Sequence, residues 1–277
     1  LEAGQSFQTP EAVMTYTGHG YRELSQHMHG FVREHIVRGH WKNKVRPILL
    51  NSWEASYFKF TESKLLNLAK AGKEAGIELF VMDDGWFGER NDDTSSLGDW
   101  VENRKKLPGG VKGLADKINA LGMDFGIWVE PEMVNENSNL YKEHPDWAVR
   151  IPERNHGLGR NQMILDLTRT EVQDYLIDAM TKVFSLGNIS YVKWDMNAYI
   201  SESGTEKDIY VKFTENLLDV WKRLNEKYPE VLFECCAHGG ARSDYGMVRY
   251  SDRINRSDNA DAVDVLKLHE GFTTIFL

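Results

Sequence analysis

Cysteine is almost absent: Cys235 and Cys236 are the only two in 277 residues. Adjacent cysteines in a strand-like run bridge poorly, so no disulfide framework is expected, and a reducing, cytoplasmic setting fits. Positive charge is scarce too. The 33 Lys and Arg are outnumbered by 42 Asp and Glu, a formal net charge of -9, and no basic cluster interrupts that balance. Nucleic acid and an anionic membrane are therefore excluded as expected partners. No apolar stretch approaches the roughly 18 residues of a membrane span, and the amino terminus lacks a charged segment followed by an apolar one. The histidines show no ligand spacing such as His-x-x-x-His. What is present is ordinary globular material, 41% hydrophobic and 27% charged. Its length suits one large domain, and its ligand is expected to be a small neutral molecule.

Eight short β-type runs are legible, at residues 47–52, 78–82, 125–129, 163–167, 191–194, 231–235, 253–257 and 273–277. Most are continuously apolar, as parallel strands buried on both faces are. Amphipathic helical stretches lie between them, among them 62–75, 113–121, 170–184 and 208–228. A repeat of about thirty residues is one strand plus one helix, and eight such units give an α/β fold of the (β/α)8 TIM barrel type. The chain reaches the eighth run with no eighth helix after it, so the barrel is expected to be truncated after the eighth strand. Residues 1–24 read as a linker or the remnant of a preceding β domain, and residues 25–277 as the barrel.

Polar residues gather where the apolar runs end, the end at which barrel enzymes keep their chemistry. The runs end in Asn51-Ser52-Trp53-Glu54, Asp83-Asp84-Gly85-Trp86, Glu130-Pro131-Glu132, Lys193-Trp194-Asp195-Met196-Asn197, Glu234-Cys235-Cys236-Ala237-His238-Gly239-Gly240 and Ser257-Asp258-Asn259. Such a ring suits a sugar: carboxylates and amides bind hydroxyls, and indole faces cover the C–H side of a pyranose. Asp195 and Asp258 supply the two carboxylates that glycoside hydrolysis requires. Lys193 stands two residues before Asp195, hence on the same strand face, where its charge keeps Asp195 ionised.

With these residues the sequence resembles the catalytic barrel of glycoside hydrolase family 36, the bacterial α-galactosidases, over about residues 47–271. The most specific motifs are Asp83-Asp84-Gly85-Trp86-Phe87, Lys193-Trp194-Asp195-Met196-Asn197 and Ser257-Asp258-Asn259. The resemblance implies a retaining exo-α-galactosidase acting on raffinose- or melibiose-type sugars, with Asp195 as nucleophile and Asp258 as general acid/base, and with no metal or other cofactor. It further implies that Asp83 and Asp84 hold the galactose hydroxyls at carbons four and six. Trp53 and Trp128 would line that subsite, and Arg160 would reach the nucleophile side. Lys193 would bind the sugar, Asn197 would contact it near carbon two, and Cys236 and Gly239 would flank the carbon-two hydroxyl. A homo-oligomer is implied for the full-length protein. The family run Cys-Ser-Gly-Gly-Gly-Gly-Arg here reads Cys236-Ala237-His238-Gly239-Gly240-Ala241-Arg242, so His238 stands in place of a glycine.

Other readings stay open beside this one. Asp-Asp-Gly alone suits a turn. Asp83, Glu130, Glu132 and Asp195 are all possible oxygen ligands for a hard cation. The same aspartates would serve a galactosyl-transferring enzyme or an α-N-acetylgalactosaminidase, and a sugar-binding fragment with weak catalysis is the non-enzymatic alternative.

Overall fold

The computed structural model describes residues 3–155, 157–204 and 208–276. The chain divides into two units, one spanning Val37–Asp258 and the other formed by the residues up to Ile36 and from Asn259 onward.

The larger unit is built on β1 (Leu49–Asn51), β2 (Leu79–Met82), β3 (Asp124–Val129), β4 (Met133–Val134), β5 (Met163–Ile164), β6 (Tyr191–Trp194), β7 (Leu232–Cys235) and β8 (Arg253–Ile254). Six of these form one sheet in the order β1-β2-β3-β6-β7-β8, parallel at every pairing. Helices α1 to α9 are Tyr21–Phe31, Trp53–Ser56, Glu62–Glu74, Gly110–Asn119, Asn139–Glu143, Thr170–Phe184, Ile209–Lys227, Tyr245–Val248 and Ala262–Phe272. The class is the expected one, an α/β fold built on a parallel sheet of the barrel type.

The strand count is not the expected one. The run at 163–167 was read as a fourth barrel strand. Met163–Ile164 pairs antiparallel with Met133–Val134 and Leu165 bridges Ala148, both apart from the main sheet. β3 bonds directly to β6 instead. A short apolar run carries no signal of which partner it will take, which is why periodicity misplaced it. The run at 273–277, expected as the eighth strand, forms no strand among the described residues. Thr273 N–H instead donates to His269 O at 2.9 Å and Phe276 N–H to Phe272 O at 3.1 Å, so the segment carries on the turns of α9; Leu277 lies outside the described residues. Tertiary and capping context outweighs β propensity here.

The helices cover the sheet by the stripes the sequence encodes. α6 buries Val172, Leu176, Ala179, Met180 and Val183, and α7 buries Phe213, Leu217, Val220, Trp221 and Leu224, the three-to-four spacing of one helix face. Thr61 caps α3 by accepting from Lys64 N–H at 3.3 Å. In the smaller unit, Asp261 caps α9 by accepting from the N–H groups of Val263 and Asp264, and the His29 ring nitrogen lies 2.6 Å from Thr273 O.

Register decides what faces the barrel interior. Leu79 is aligned with Leu49, Tyr191 with Gly126 and Leu232 with Tyr191, and Leu79, Val81, Tyr191 and Leu232 form their own buried apolar cluster. Two residues further along each strand the same face presents Lys193 beside Trp128 and Glu234 beside Lys193. A Cβ on Gly126 would lie 2.9 Å from Tyr191 Cβ and 3.0 Å from Val81 Cγ2. The interior has room for the Tyr191 ring only because position 126 has no side chain.

Candidate active site

Ladder bonds continue one residue past the strands: Asp195 N–H donates to Val129 O at 2.8 Å, Cys236 N–H to Trp194 O at 2.9 Å and Asn255 N–H to Cys235 O at 2.9 Å. The period of two then places Glu130, Asp195, Cys236 and Asn255 in one inward-facing layer at the carboxyl ends, above the layer of Trp128, Lys193, Glu234 and Arg253. Below them Tyr191 and Arg253 both donate to Glu234, closing a polar floor. The site stands on regular strands with a braced base.

Asp195 is buried and richly held. Trp128 Nε1 donates to its Oδ2 at 3.2 Å, Asn197 Nδ2 to the same oxygen at 2.8 Å, and Met196 N–H to Oδ1 at 2.8 Å. Burial alone pushes its carboxyl up. The Lys193 charge, donation from Cys236 and Asn197 and the Met196 N–H outweigh that and hold it below the ordinary aspartate value. Lys193 Nζ itself lies 3.0 Å from Asp83 Oδ2. Burial lowers the ammonium's pKa, but Asp83 and Asp195 together raise it well above its usual value.

Glu130 is the opposite case. It accepts from Gln162 Nε2 at 2.6 Å, from Asn197 Nδ2 at 3.1 Å and from the Asn197 N–H. Burial and the neighbouring Asp195 charge nonetheless push it up to about 8. Two carboxyls that share the amide of Asn197 are thus driven apart, one ionised and one proton-holding, a pattern that marks functional sites.

Both members of the Asp-Asp pair are engaged. Asn51 Nδ2 donates to Asp83 Oδ2 at 2.6 Å. Asp84 takes Arg90 in a two-point grip, at 2.5 and 2.9 Å, with Arg160 Nη2 at 3.2 Å. Arg160 Cζ also stands 5.3 Å from the Trp53 ring centroid, within cation–π range. Arg160 and Asn161 hold φ of 50° and 57°. Two consecutive non-glycine residues in the left-handed region are costly, of order 1–3 kcal/mol each, and such strain clusters at functional sites.

Asp258 follows the last strand. Asn255 Nδ2 donates to its Oδ1 at 2.8 Å, and Cys236 Sγ lies 4.0 Å from that oxygen. Burial, together with the charges of Asp195 and Asp258, pushes the Cys236 thiol far up. It remains an S–H group, a weak donor placed between two carboxylates. Gly239 has φ of +83°, and a Cβ there would lie 2.6 Å from Ser257 Cα; only glycine lets the two loops approach this closely.

The expected residues therefore come together. Asp195, Trp128, Asn197 and Lys193 share direct contacts or charges, as do Asp83 with Lys193, Asp84 with Arg160, Arg160 with Trp53, and Cys236 with both catalytic candidates. Gly239 packs on the Asp258 loop. Arg90, Gln162, Asn51 and Asn255 hold the site but were not singled out. Asn51 stands at the end of a strand-like run, whereas Asn255 lies inside the 253–257 run and follows β8. Arg90 and Gln162 lie in loops, where nothing in the sequence announces a contact. The carboxylates weighed as cation ligands are otherwise occupied: Asp83 by Lys193, and Glu132 by Arg242 Nη1 and Trp194 Nε1, both at 2.7 Å. Among the described residues no three His, Cys, Asp or Glu side chains group as a metal site, and no helix is long and apolar enough to cross a membrane.

Parallel strands with a carboxylate-rich, partly strained site at their carboxyl ends define a barrel of the glycosidase kind. The chain belongs to the melibiase family, whose model matches residues 6–276. It is 46% identical over 283 residues to the α-galactosidase AgaA of Geobacillus stearothermophilus, covering 100% of this chain and 39% of that protein. It is 41% identical to the α-galactosidase Mel36A of Lactobacillus acidophilus, with the same coverage. The crystal structure of AgaA superposes with a TM-score of 0.95 at 45% identity, covering 99% of this chain and 39% of that one. A variant of AgaA has been solved in complex with raffinose, and it matches with a TM-score of 0.90 at 44% identity over 93% of this chain and 37% of that one. The chain thus spans about two fifths of the length of these relatives.

Proposed function

We propose that this chain is the catalytic barrel of a retaining exo-α-galactosidase that removes terminal α-D-galactosyl residues from raffinose- or melibiose-type oligosaccharides. The observation that carries the proposal is the buried Asp195 carboxylate, kept ionised by Lys193 and aimed by Trp128, Asn197 and the Met196 N–H. An ionised carboxylate with fixed orientation is what a nucleophile at an anomeric carbon has to be.

In the first step an Asp195 oxygen forms a bond to the anomeric carbon while the bond to the glycosidic oxygen breaks, and Asp258 gives its proton to that oxygen. In the second, Asp258 takes a proton from water, the water oxygen bonds to the anomeric carbon, and Asp195 leaves. Two inversions return the α configuration. Asp83 and Asp84 would hold the hydroxyls at carbons four and six, Trp53 and Trp128 would line that subsite, Arg160 would reach the nucleophile side, Lys193 would bind the sugar, and Cys236, Gly239 and Asn197 would flank the side of carbon two. Support comes from their clustering around Asp195 and from the raffinose bound by the AgaA variant. No cofactor enters this scheme. A cytoplasmic location is part of the proposal and rests on two buried, unbridged cysteines; a homo-oligomeric full-length protein rests on the family resemblance.

The test is release of galactose from raffinose, alongside an aryl α-galactoside and its α-N-acetylgalactosaminide counterpart. The proposal expects turnover of the first two and little of the third. Preference for the acetamido sugar, or bound galactose with no turnover of either galactoside, would overturn it.

A further inference from the structure

Tyr199 and His238 belong to the two loops that carry Asn197 and Cys236, and neither has a part in the scheme above. Both are solvent-exposed, Tyr199 at 61%, and their rings lie within 18° of parallel with centroids 6.1 Å apart. This is a near-parallel ring pair between two chain segments, exposed rather than buried. His238 is held at φ 48° in the left-handed region.

The backbone next to each residue is closely packed. Ala198 is wedged against Gly159, where a Cβ would come within 3.1 Å of Ala198 Cα. Gly239, the residue after His238, lies against Ser257 and the Asp258 N–H, 2.6 and 3.0 Å from where its Cβ would stand. His238 therefore immediately precedes a residue packed on the backbone that carries Asp258.

The group beside an acid that protonates a glycosidic oxygen is the leaving sugar, not the galactose. From this placement we infer that Tyr199 and His238 form a binding platform for the pyranose ring on the leaving side of the bond, with a hexose of a 6-O-α-galactosyl disaccharide as its chemical class. The inference rests on the proposed α-galactosidase reading of the site. The flat pair covers the apolar C–H face of that ring, while its hydroxyls stay in water, so the platform favours sugar leaving groups over leaving groups with no ring.

The experiment compares kcat/KM for melibiose with that for α-galactosyl fluoride, whose leaving group reaches neither ring, and measures inhibition by galactose in parallel. His238→Asn keeps a residue tolerant of left-handed backbone and removes the ring; Tyr199→Ala removes the other. Each is expected to lower the melibiose-to-fluoride ratio by about tenfold, the effect of losing roughly one aromatic contact, while Tyr199→Phe retains it. An unchanged ratio in both ring-removing variants, or a parallel loss on both substrates, overturns the platform. Failure of the unsubstituted protein to bind galactose or cleave the fluoride overturns the galactosidase reading itself, and the platform with it.

Discussion

Lys193 Nζ touches Asp83 at 3.0 Å, yet its charge is also the main influence lowering the Asp195 carboxyl. One ammonium thus serves two carboxylates, one just past the end of β2 and one just past the end of its own strand. Replacing Lys193 by Met removes that charge, so the Asp195 pKa rises. The ionised form is then lost at a higher pH on acidification. The acid limb of the kcat/KM profile should move to higher pH, with a loss of at least tenfold at pH 5, and a profile with an unshifted limb would contradict the electrostatic role.

Replacing Asp195 by Ala should abolish turnover. Azide occupying the vacated space would attack an aryl α-galactoside from the opposite face, and the product is expected to be the β-galactosyl azide, identifiable by proton NMR. An α-configured azide would show that Asp195 is not the attacking group.

Asp258→Ala should discriminate between leaving groups. An activated phenol departs without a proton, whereas a sugar alkoxide does not. Rates on raffinose should fall by about a hundredfold or more while the first step with a dinitrophenyl galactoside falls little. Equal losses on both would remove Asp258 from the acid role.

Glu130 gives a pH signature in stability rather than in rate. Its folded pKa, about 8, lies above the ordinary glutamate value of 4.5. Between these two pH values the unfolded chain releases a proton that the folded one retains, so this group makes stability fall as pH rises from about 4.5 to about 8. Glu130→Gln removes the titration. Its melting temperature relative to the unsubstituted protein should therefore improve from pH 5 to pH 8, whatever the offset from altered hydrogen bonds. A difference independent of pH would mean that Glu130 is ionised throughout.

Gly126→Ala tests the barrel interior. The added methyl meets Tyr191 Cβ at 2.9 Å, and overpacking of this kind costs about 1–3 kcal/mol. Thermal unfolding should show a drop of several degrees, and no drop would mean the Tyr191 ring has room to move.

Much of this site was legible because a strand end is a position that chemistry uses and sequence reveals. The Lys193-Trp194-Asp195 order fixes which two side chains share a face, and the structure keeps both inward. The adjacent Asp83 and Asp84 were together expected to hold the sugar. Both are engaged because the chain leaves β2 at Met82 and turns at Gly85, whose φ is +108°, so strict strand alternation does not govern the pair. The Met163–Ile164 run was misplaced because its partner, Met133–Val134, is two residues long, too short to show any period. Arg90 and Gln162 were invisible for another reason: a loop side chain's partner is set by tertiary closure.

The central claim is a double displacement at Asp195. Hydrolysis of an aryl α-D-galactoside by the purified protein, followed by proton NMR from the first turnovers, tests it most directly. The account predicts that α-galactose appears first and mutarotates to the equilibrium mixture; β-galactose appearing first would contradict a covalent Asp195 intermediate.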